Sequence, residues 1–161
     1  MIRRLLLIAA MLGGLGRAPG PQAEPCTVTR IVDGDTFYCD DTLKVRLIGI
    51  DAPERGQGEP GAAAAAALRK LMPRGAVVRL ERDVTLTDRY GRRLAYVWRG
   101  DTLVNEAMVR GGWAILYTVP PNVKYVDRLE RAQRAARHAR AGLWNTWRFV
   151  CPPASWRRRR C

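Results

Sequence analysis

Two short acidic segments stand on either side of a basic residue in the first third of the chain. The segments are Asp33-Gly34-Asp35-Thr36 and Asp51-Ala52-Pro53-Glu54, and the basic residue is Arg46. Hard divalent cations require oxygen ligands, and carboxylates at the ends of two strands can converge on one ion. Glu54 follows Asp51 by three residues, which would bring it within reach of a water molecule beside that ion. The pattern predicts a cation site with a guanidinium close by.

Arginines could complete such a site. A phosphodiester attacked by water gains negative charge on its non-bridging oxygens, and a planar, permanently protonated guanidinium can donate two hydrogen bonds to them. Arg46 is one candidate, and a second could come from Thr87-Asp88-Arg89-Tyr90-Gly91-Arg92. Each segment alone has a plainer interpretation, because Asp-Gly is a common hairpin turn and Asp-x-Pro-Glu an ordinary loop. Their combination on a basic chain favours metal-dependent phosphoryl chemistry.

Short strands must hold these residues in place. Alternation of apolar and polar residues predicts five strands, over residues 27–32, 36–39, 43–50, 76–84 and 93–98. The first two are joined by a hairpin turn at Asp33-Gly34-Asp35. In the third strand the odd-numbered residues 43, 45 and 47 should face the core, so we expect Arg46 to lie on the outward face.

Three helices accompany the strands, over residues 62–72, 103–110 and 125–141. The buried face of the last helix should consist of Val126, Leu129, Ala132 and Ala136. His138 lies among arginines on this helix and should be a surface residue. Five short strands with an intervening helix indicate an α+β fold, a five-stranded Greek-key barrel of the OB type with three helices.

The chain is strongly basic. It carries 28 Lys and Arg against 15 Asp and Glu, a formal charge of +13. Such an excess suggests a polyanionic partner, because basic side chains displace the counterions that condense along a phosphate backbone. A solubility role or a weak attraction to membrane surfaces would produce the same charge, which alone does not separate these alternatives.

The N-terminus predicts export. Residues 1–4 are basic, residues 5–12 apolar, and residues 13–20 small and flexible. We interpret residues 1–23 as a cleaved signal peptide ending at Ala23, because the apolar segment is too short to span a bilayer comfortably. An uncleaved short anchor is the alternative. Cleavage removes three arginines and no acid, which lowers the charge from +13 to +10. The mature protein would be periplasmic or secreted, without stable membrane insertion.

Four cysteines follow the predicted signal: Cys26, Cys39, Cys151 and Cys161. An even number in an exported chain favours disulfides, for which three connectivities exist. We predict Cys26–Cys39, between neighbouring strands of a hairpin, and Cys151–Cys161, within the C-terminal tail. A zinc site would need closely spaced Cys or His ligands, which the chain lacks.

The motifs together resemble the staphylococcal nuclease (thermonuclease) family. The two acidic segments, Val45-Arg46-Leu47-Ile48-Gly49-Ile50, the segment from Thr87 to Arg92 and Val104-Asn105-Glu106-Ala107 occur in that family's order and near its spacing. The resemblance runs from Val28 to Trp144. It implies a domain over residues 24–150, followed by a basic, disulfide-tied tail over 151–161. It also implies a calcium-dependent endonuclease acting on DNA and RNA, single-stranded by preference, that leaves 3′-phosphate ends, most simply as a monomer.

The resemblance assigns the site residue by residue. Asp35 and Asp51 match carboxylate ligands of Ca²⁺, and Ala52 matches a position that contributes its backbone carbonyl, where a threonine is usual. Glu54 matches the general base. The two phosphate-binding arginines would be Arg46 and Arg92. The substrate-binding residues would be Arg89, Tyr90 and Tyr117.

The chain departs from the family pattern in two of its segments. The segment after Glu54 is short and lacks a lysine-rich loop. Val119 stands near the position of a second pocket tyrosine, so base stacking at that position should be weaker. We interpret the arginines over 157–160 as a solvated tail, with non-specific attraction to phosphate as the alternative. Two other functions stay open: a non-catalytic exported nucleic-acid-binding OB module, and a basic structural protein of the envelope.

Overall fold

The structure is a computed structural model that describes residues 23–146 and 149–161. The predicted signal peptide lies outside these residues, except for Ala23. The strands are β1 Ala23–Ile31, β2 Thr36–Cys39, β3 Leu43–Leu47, β4 Ile50–Asp51, β5 Val77–Glu81, β6 Arg93–Arg99, β7 Thr102–Leu103 and β8 Ile115–Leu116. The helices are α1 Glu59–Leu71, α2 Val104–Arg110, α3 Val126–His138, α4 Leu143–Thr146 and α5 Pro153–Arg157, with a 3-10 turn at Arg55–Gln57.

Five of the strands form a closed barrel. The order β3-β2-β1-β5-β6 is antiparallel throughout, and a parallel pairing of β3 with β6 closes the sheet. In that pairing Val45 lies opposite Arg93, and Leu47 lies opposite Ala95. Barrel closure removes the free sheet edges that an open five-stranded sheet would expose. The predicted α+β fold with an OB barrel is confirmed, and α1, α2 and α3 are its three longer helices.

The barrel interior and the helices share one core. The inward residues Val28, Phe37 and Val45 are fully buried, as the period of two requires. Leu68 of α1 and Leu129 of α3 are also fully buried against this core. On α3, Ala132 and Ala136 are buried as predicted, whereas Val126 is half-buried and His138 is exposed.

The third strand is shorter than predicted, and this shapes the site. It ends at Leu47, because Gly49 adopts a left-handed backbone with φ of 79° that breaks the extended run. The chain resumes as β4, which pairs with β8 instead of the barrel. Asp51 therefore belongs to a separate two-stranded ribbon that lies across the barrel, and it is completely buried there.

Helix α1 begins three residues earlier than the alanine run indicates. Glu59 and Pro60 form its first turn, where a proline fits because its missing N–H has no helical partner to lose. Gly61 follows, buried directly against the backbone of Glu54: a Cβ there would lie 2.0 Å from the Glu54 carbonyl oxygen. The start of α1 and the second acidic segment are therefore packed together without space for a side chain.

A buried carboxylate joins the barrel to the start of α3. Glu81 accepts hydrogen bonds from Trp98 Nε1 at 2.6 Å and from the Tyr125 hydroxyl at 3.0 Å, and it pairs with Lys124. Burial alone would raise the pKa of Glu81, but these hydrogen bonds hold its pKa below the usual value.

Both predicted disulfides are present. Cys26–Cys39 joins β1 to β2, and Cys151–Cys161 closes the C-terminal segment into a loop around α5, each with a Cα–Cα distance of 5.7 Å. Within the part of the chain that the structure describes, no helix is both long and apolar enough to cross a bilayer.

Candidate active site

The two acidic segments meet at one end of the barrel. The turn after β1 holds Asp35, whose own N–H donates to Asp33 Oδ1 at 3.0 Å. Asp35 Oδ2 in turn accepts a hydrogen bond from the backbone N–H of Ala52 at 2.7 Å. Asp35 and Asp51 are 5% and 0% exposed. Residues 17 apart in sequence are thereby fixed in one buried cluster.

Arg46 lies between the two aspartates. Its Nη1 is 2.9 Å from Asp35 Oδ2, and its Nη2 is 3.0 Å from Asp51 Oδ1. The side chain points out of the barrel as β3 requires, but Arg46 is only 9% exposed. The expectation of an open, outward arginine was therefore incomplete, because the segment carrying Asp51 folds over this face. Pairing with two carboxylates allows the guanidinium to be buried.

Glu54 stands at the border between the cluster and solvent. It precedes the 3-10 turn, and its N–H donates to Gln57 Oε1 at 2.8 Å, which fixes the backbone. Its side chain is one-third exposed, unlike those of the aspartates. A carboxylate held by its backbone and open on one side can exchange protons with water.

Arg157 is the functional residue that sequence reasoning missed. Its Nη1 lies 3.0 Å from Asp51 Oδ1 and 2.7 Å from Glu54 Oε1, and its Nη2 lies 2.9 Å from Asp51 Oδ2. The interpretation of Arg157 as part of a solvated tail is thus wrong, because the Cys151–Cys161 loop and α5 return the chain to the site. Two signals pointed to it: the predicted disulfide loop, and acidic residues near the site in excess of the arginines assigned to it.

A tight turn presents Arg92. The Asp88 carboxylate accepts hydrogen bonds from the N–H groups of Tyr90 and Arg92, at 2.9 and 3.0 Å, and from Arg92 Nε at 2.6 Å. Burial alone would raise the pKa of Asp88, yet these hydrogen bonds lower it. Asp88 therefore stays charged and orients Arg92, a role that the sequence analysis did not assign to it.

Two aromatic side chains, Tyr90 and Tyr117, also line the opening. Tyr90 is 68% exposed, and its hydroxyl accepts a hydrogen bond from Arg89 Nη2 at 2.6 Å. Tyr117 is exposed as well, and its backbone N–H donates to the Gly49 carbonyl at 2.9 Å. Val119 is 54% exposed. Exposed rings beside arginines form a surface suited to stacking of bases.

Most of these groups line one cavity of about 980 Å³. Its lining includes Asp33, Asp35, Arg46, Glu54, Arg89, Tyr90, Arg92, Tyr117, Arg157 and Arg158. Asp51 and Ala52 are buried and are tied to lining residues by the hydrogen bonds described above. The structure therefore brings the predicted site residues together at one face of the barrel.

Burial makes ionisation of two of these carboxyl groups less favourable. Burial, and then the neighbouring charge of Asp35, raise the pKa of Asp33 to about 7. Burial also raises the pKa of Asp51, despite the hydrogen bond from Arg157. A cation bound among these carboxyl groups would favour their charged form.

The donor set fits a hard divalent cation. Asp35 and Asp51 supply carboxylate oxygens, and Ala52 stands between them and Glu54 with a backbone carbonyl. Among the described residues, the one group of three potential ligand residues with ligand atoms within 4.8 Å of one another is Cys26, Cys39 and Asp40. Its two sulfurs form a disulfide, so it offers no metal site.

Comparison with known proteins agrees with this architecture. The family model described as "Staphylococcal nuclease homologue" matches residues 44–146. The chain is 38% identical to a thermonuclease of Staphylococcus hyicus over 125 residues, 73% of this chain and 74% of that protein. It is 38% identical to a thermonuclease of Staphylococcus intermedius over 130 residues, 76% of this chain and 77% of that protein. It is 31% identical to a prophage-derived endonuclease of Bacillus subtilis over 133 residues, 77% of this chain and 45% of that protein. The chain therefore belongs to the staphylococcal nuclease family.

Proposed function

We propose that this chain is an exported, calcium-dependent endonuclease that hydrolyses the phosphodiester bonds of DNA and RNA and leaves 3′-phosphate ends. Its family and its relatives named thermonuclease and endonuclease make it a phosphodiester-hydrolysing nuclease. The metal, the two polymers, the preference for single strands and the product ends are the parts that we propose.

One observation carries the proposal: four carboxylates and five arginines line a single cavity, and a fifth carboxylate, that of Asp51, is buried and bonded to two of these arginines. A binding module needs basic and aromatic groups for a nucleic acid, but it gains nothing from buried acids that repel phosphate. The buried acids are accounted for if they hold a cation. We therefore favour catalysis over a non-catalytic OB module.

Each residue takes a separate role in this proposal. Asp35, Asp51 and the Ala52 carbonyl hold Ca²⁺, which when bound supplies positive charge beside the scissile phosphate. Glu54 accepts a proton from the attacking water, or orients it, as its partial exposure and fixed backbone permit. Arg46 and Arg92 donate hydrogen bonds to the phosphoryl oxygens as negative charge develops there. Arg92 is suited to this because Asp88 engages its Nε and fixes its side chain at the lining of the cavity.

The aromatic rim would bind the nucleotide. Tyr90 and Tyr117 are exposed enough to stack on bases or to contact the sugar, and Arg89 adds positive charge beside Tyr90. Stacking on aromatic rings is tolerant of base identity, so cleavage should depend weakly on sequence.

Export is part of the same proposal. The predicted signal peptide and two disulfides are typical of proteins that fold outside the cytosol. An active nuclease would damage its own cell's nucleic acid, and calcium is more plentiful outside the cytosol. We propose that the mature chain acts in the periplasm or outside the cell, as a monomer.

The decisive experiment is digestion of single-stranded DNA and of RNA by the purified mature protein. We expect cleavage with Ca²⁺, loss of cleavage on chelation, and recovery when Ca²⁺ is added back. End-group analysis should find 3′-phosphates. Binding without cleavage at any calcium concentration would favour the non-catalytic OB module instead.

Two variants test the assigned roles. Glu54→Gln and Arg92→Ala should each lower the cleavage rate by about a hundredfold or more, which is the scale of losing a general base or a transition-state hydrogen bond. The matched controls are Glu59→Gln and Arg74→Ala, which remove the same charges from exposed residues. Full activity of either site variant would refute its assigned role.

A further inference from the structure

Arg157 contacts the carboxylates that we assign to the cation and the water. Its guanidinium reaches both oxygens of Asp51 and one oxygen of Glu54 within 3.0 Å. Asp51 Oδ1 also accepts a hydrogen bond from Arg46. A carboxylate oxygen has about two lone-pair sites. Both sites of Asp51 Oδ1 are therefore filled by guanidinium nitrogens.

The fold delivers Arg157 to this place through several contacts. It is the last residue of α5, which begins directly after Pro152, and the Cys151–Cys161 disulfide closes the loop around that helix. Gln57 Nε2 donates to the Cys151 carbonyl at 3.0 Å, and the same amide's oxygen accepts from the N–H of Glu54. The tail is thus tied to the turn beside Glu54 independently of Arg157.

A cation bound to Asp51 would exclude Arg157 from its present position, and Arg157 in that position would exclude the cation. Both need the same oxygens, and a divalent ion within about 5 Å of a guanidinium is repelled by it. Besides Arg46, these carboxylates therefore have two alternative positive partners, the guanidinium at the end of the C-terminal loop and the cation.

We propose that Arg157 competes with the divalent cation for Asp51 and Glu54, so that the C-terminal loop must release these carboxylates before the cation binds. This inference rests on the proposed function, because it takes Asp51 as a cation ligand. Release leaves Arg157 at the rim of the same cavity, where Arg158 also lies. In the absence of the cation, the C-terminal loop therefore holds Arg157 at the carboxylates of the cation site.

The test measures calcium binding to the full mature chain by titration calorimetry, in the absence of nucleic acid. Arg157→Ala should bind Ca²⁺ about tenfold more tightly than wild type, the scale expected when a unit charge close to a divalent ion is removed. Arg157→Gln should behave alike, since it lacks the charge but keeps a polar side chain. The control is Arg160→Ala, which lowers the net charge equally from an exposed residue and should leave the affinity near that of wild type.

A second arm tests the loop. Replacing both Cys151 and Cys161 with serine removes the cross-link that closes the loop while Arg157 stays in the sequence, and calcium affinity should rise toward that of Arg157→Ala. Unchanged or weaker affinity in both Arg157 variants, relative to Arg160→Ala, would overturn the competition. Absence of calcium binding in wild type and all variants would instead refute the proposed cation site, so the two failures are distinguishable.

Discussion

Replacement of Gly61 by alanine gives a test in which two physical effects have opposite signs. Gly61 lies in the first turn of α1, where helix propensity alone favours alanine by roughly 1 kcal/mol. The structure opposes this gain, because the new Cβ would lie 2.0 Å from the Glu54 carbonyl oxygen, 2.7 Å from its carbonyl carbon and 3.0 Å from the Arg55 Cα.

The contact should outweigh the propensity. Real Cβ atoms essentially never approach closer than 3.0 Å, so the backbone of Glu54 or the helix must shift by at least 1 Å. All three neighbouring atoms are backbone atoms, which cannot rotate away as a flexible side chain would. Overpacking of this kind costs about 1–3 kcal/mol, which leaves a net destabilisation of up to roughly 2 kcal/mol. A displacement of 1 Å at a catalytic group costs about a hundredfold in rate.

The assay is urea unfolding together with the rate of cleavage of single-stranded DNA. We expect Gly61→Ala to unfold at lower urea and to cleave about a hundredfold more slowly. The control Ala62→Gly changes the exposed next residue and should lose about 1 kcal/mol of stability through propensity, with an unchanged rate. A Gly61→Ala protein that is more stable than wild type and fully active would refute this reasoning.

Three further predictions concern stability and substrate binding. Glu81→Gln should lower the free energy of unfolding by roughly 2 kcal/mol at neutral pH. Because the pKa of Glu81 is lowered in the fold, the stabilisation by its carboxylate is present above pH 4.5 and is lost on acidification. The difference from wild type in urea unfolding should therefore shrink toward pH 3. Replacing both Cys26 and Cys39 with serine opens a loop with a sequence separation of 13 residues and should cost about 3 kcal/mol in the same assay; an equal unfolding midpoint would contradict it. Val119→Tyr adds a ring at the exposed rim and should lower KM for single-stranded DNA several-fold with kcat little changed, whereas Val84→Tyr, also at an exposed valine, should leave both unchanged.

The site residues that the sequence analysis predicted were identified from local patterns along the chain. Asp35 lies in a hairpin turn, and Asp51 directly follows the predicted strand over residues 43–50. Turns and strand ends can be located from residue types alone, and a barrel brings such ends together. The five-stranded fold was predicted for the same reason, since period-two alternation is a property of each short segment.

The errors arose where a long-range contact decides the outcome. Periodicity gives the direction of Arg46 relative to the barrel, but it does not reveal that another segment covers that side. Arg157 lies 103 and 106 residues from the carboxylates that it contacts, and no local pattern carries such a pairing. The early start of α1 was different: Pro60 in a first helical turn follows an ordinary rule, and the glycine-rich composition of residues 55–61 concealed it.

The parallel pairing of β3 with β6 also has a kinetic consequence. It joins Val45 to Arg93, 48 positions later in the chain, with β5 and α1 formed from the residues between them. Pairings of such separation form slowly, because a long loop must lose entropy before any contact offsets that loss. Arg46 lies in β3 and Arg92 directly precedes β6, so their approach depends on the same step. We therefore expect a folding intermediate that has only its early hairpin to lack nuclease activity, which should appear when the barrel closes.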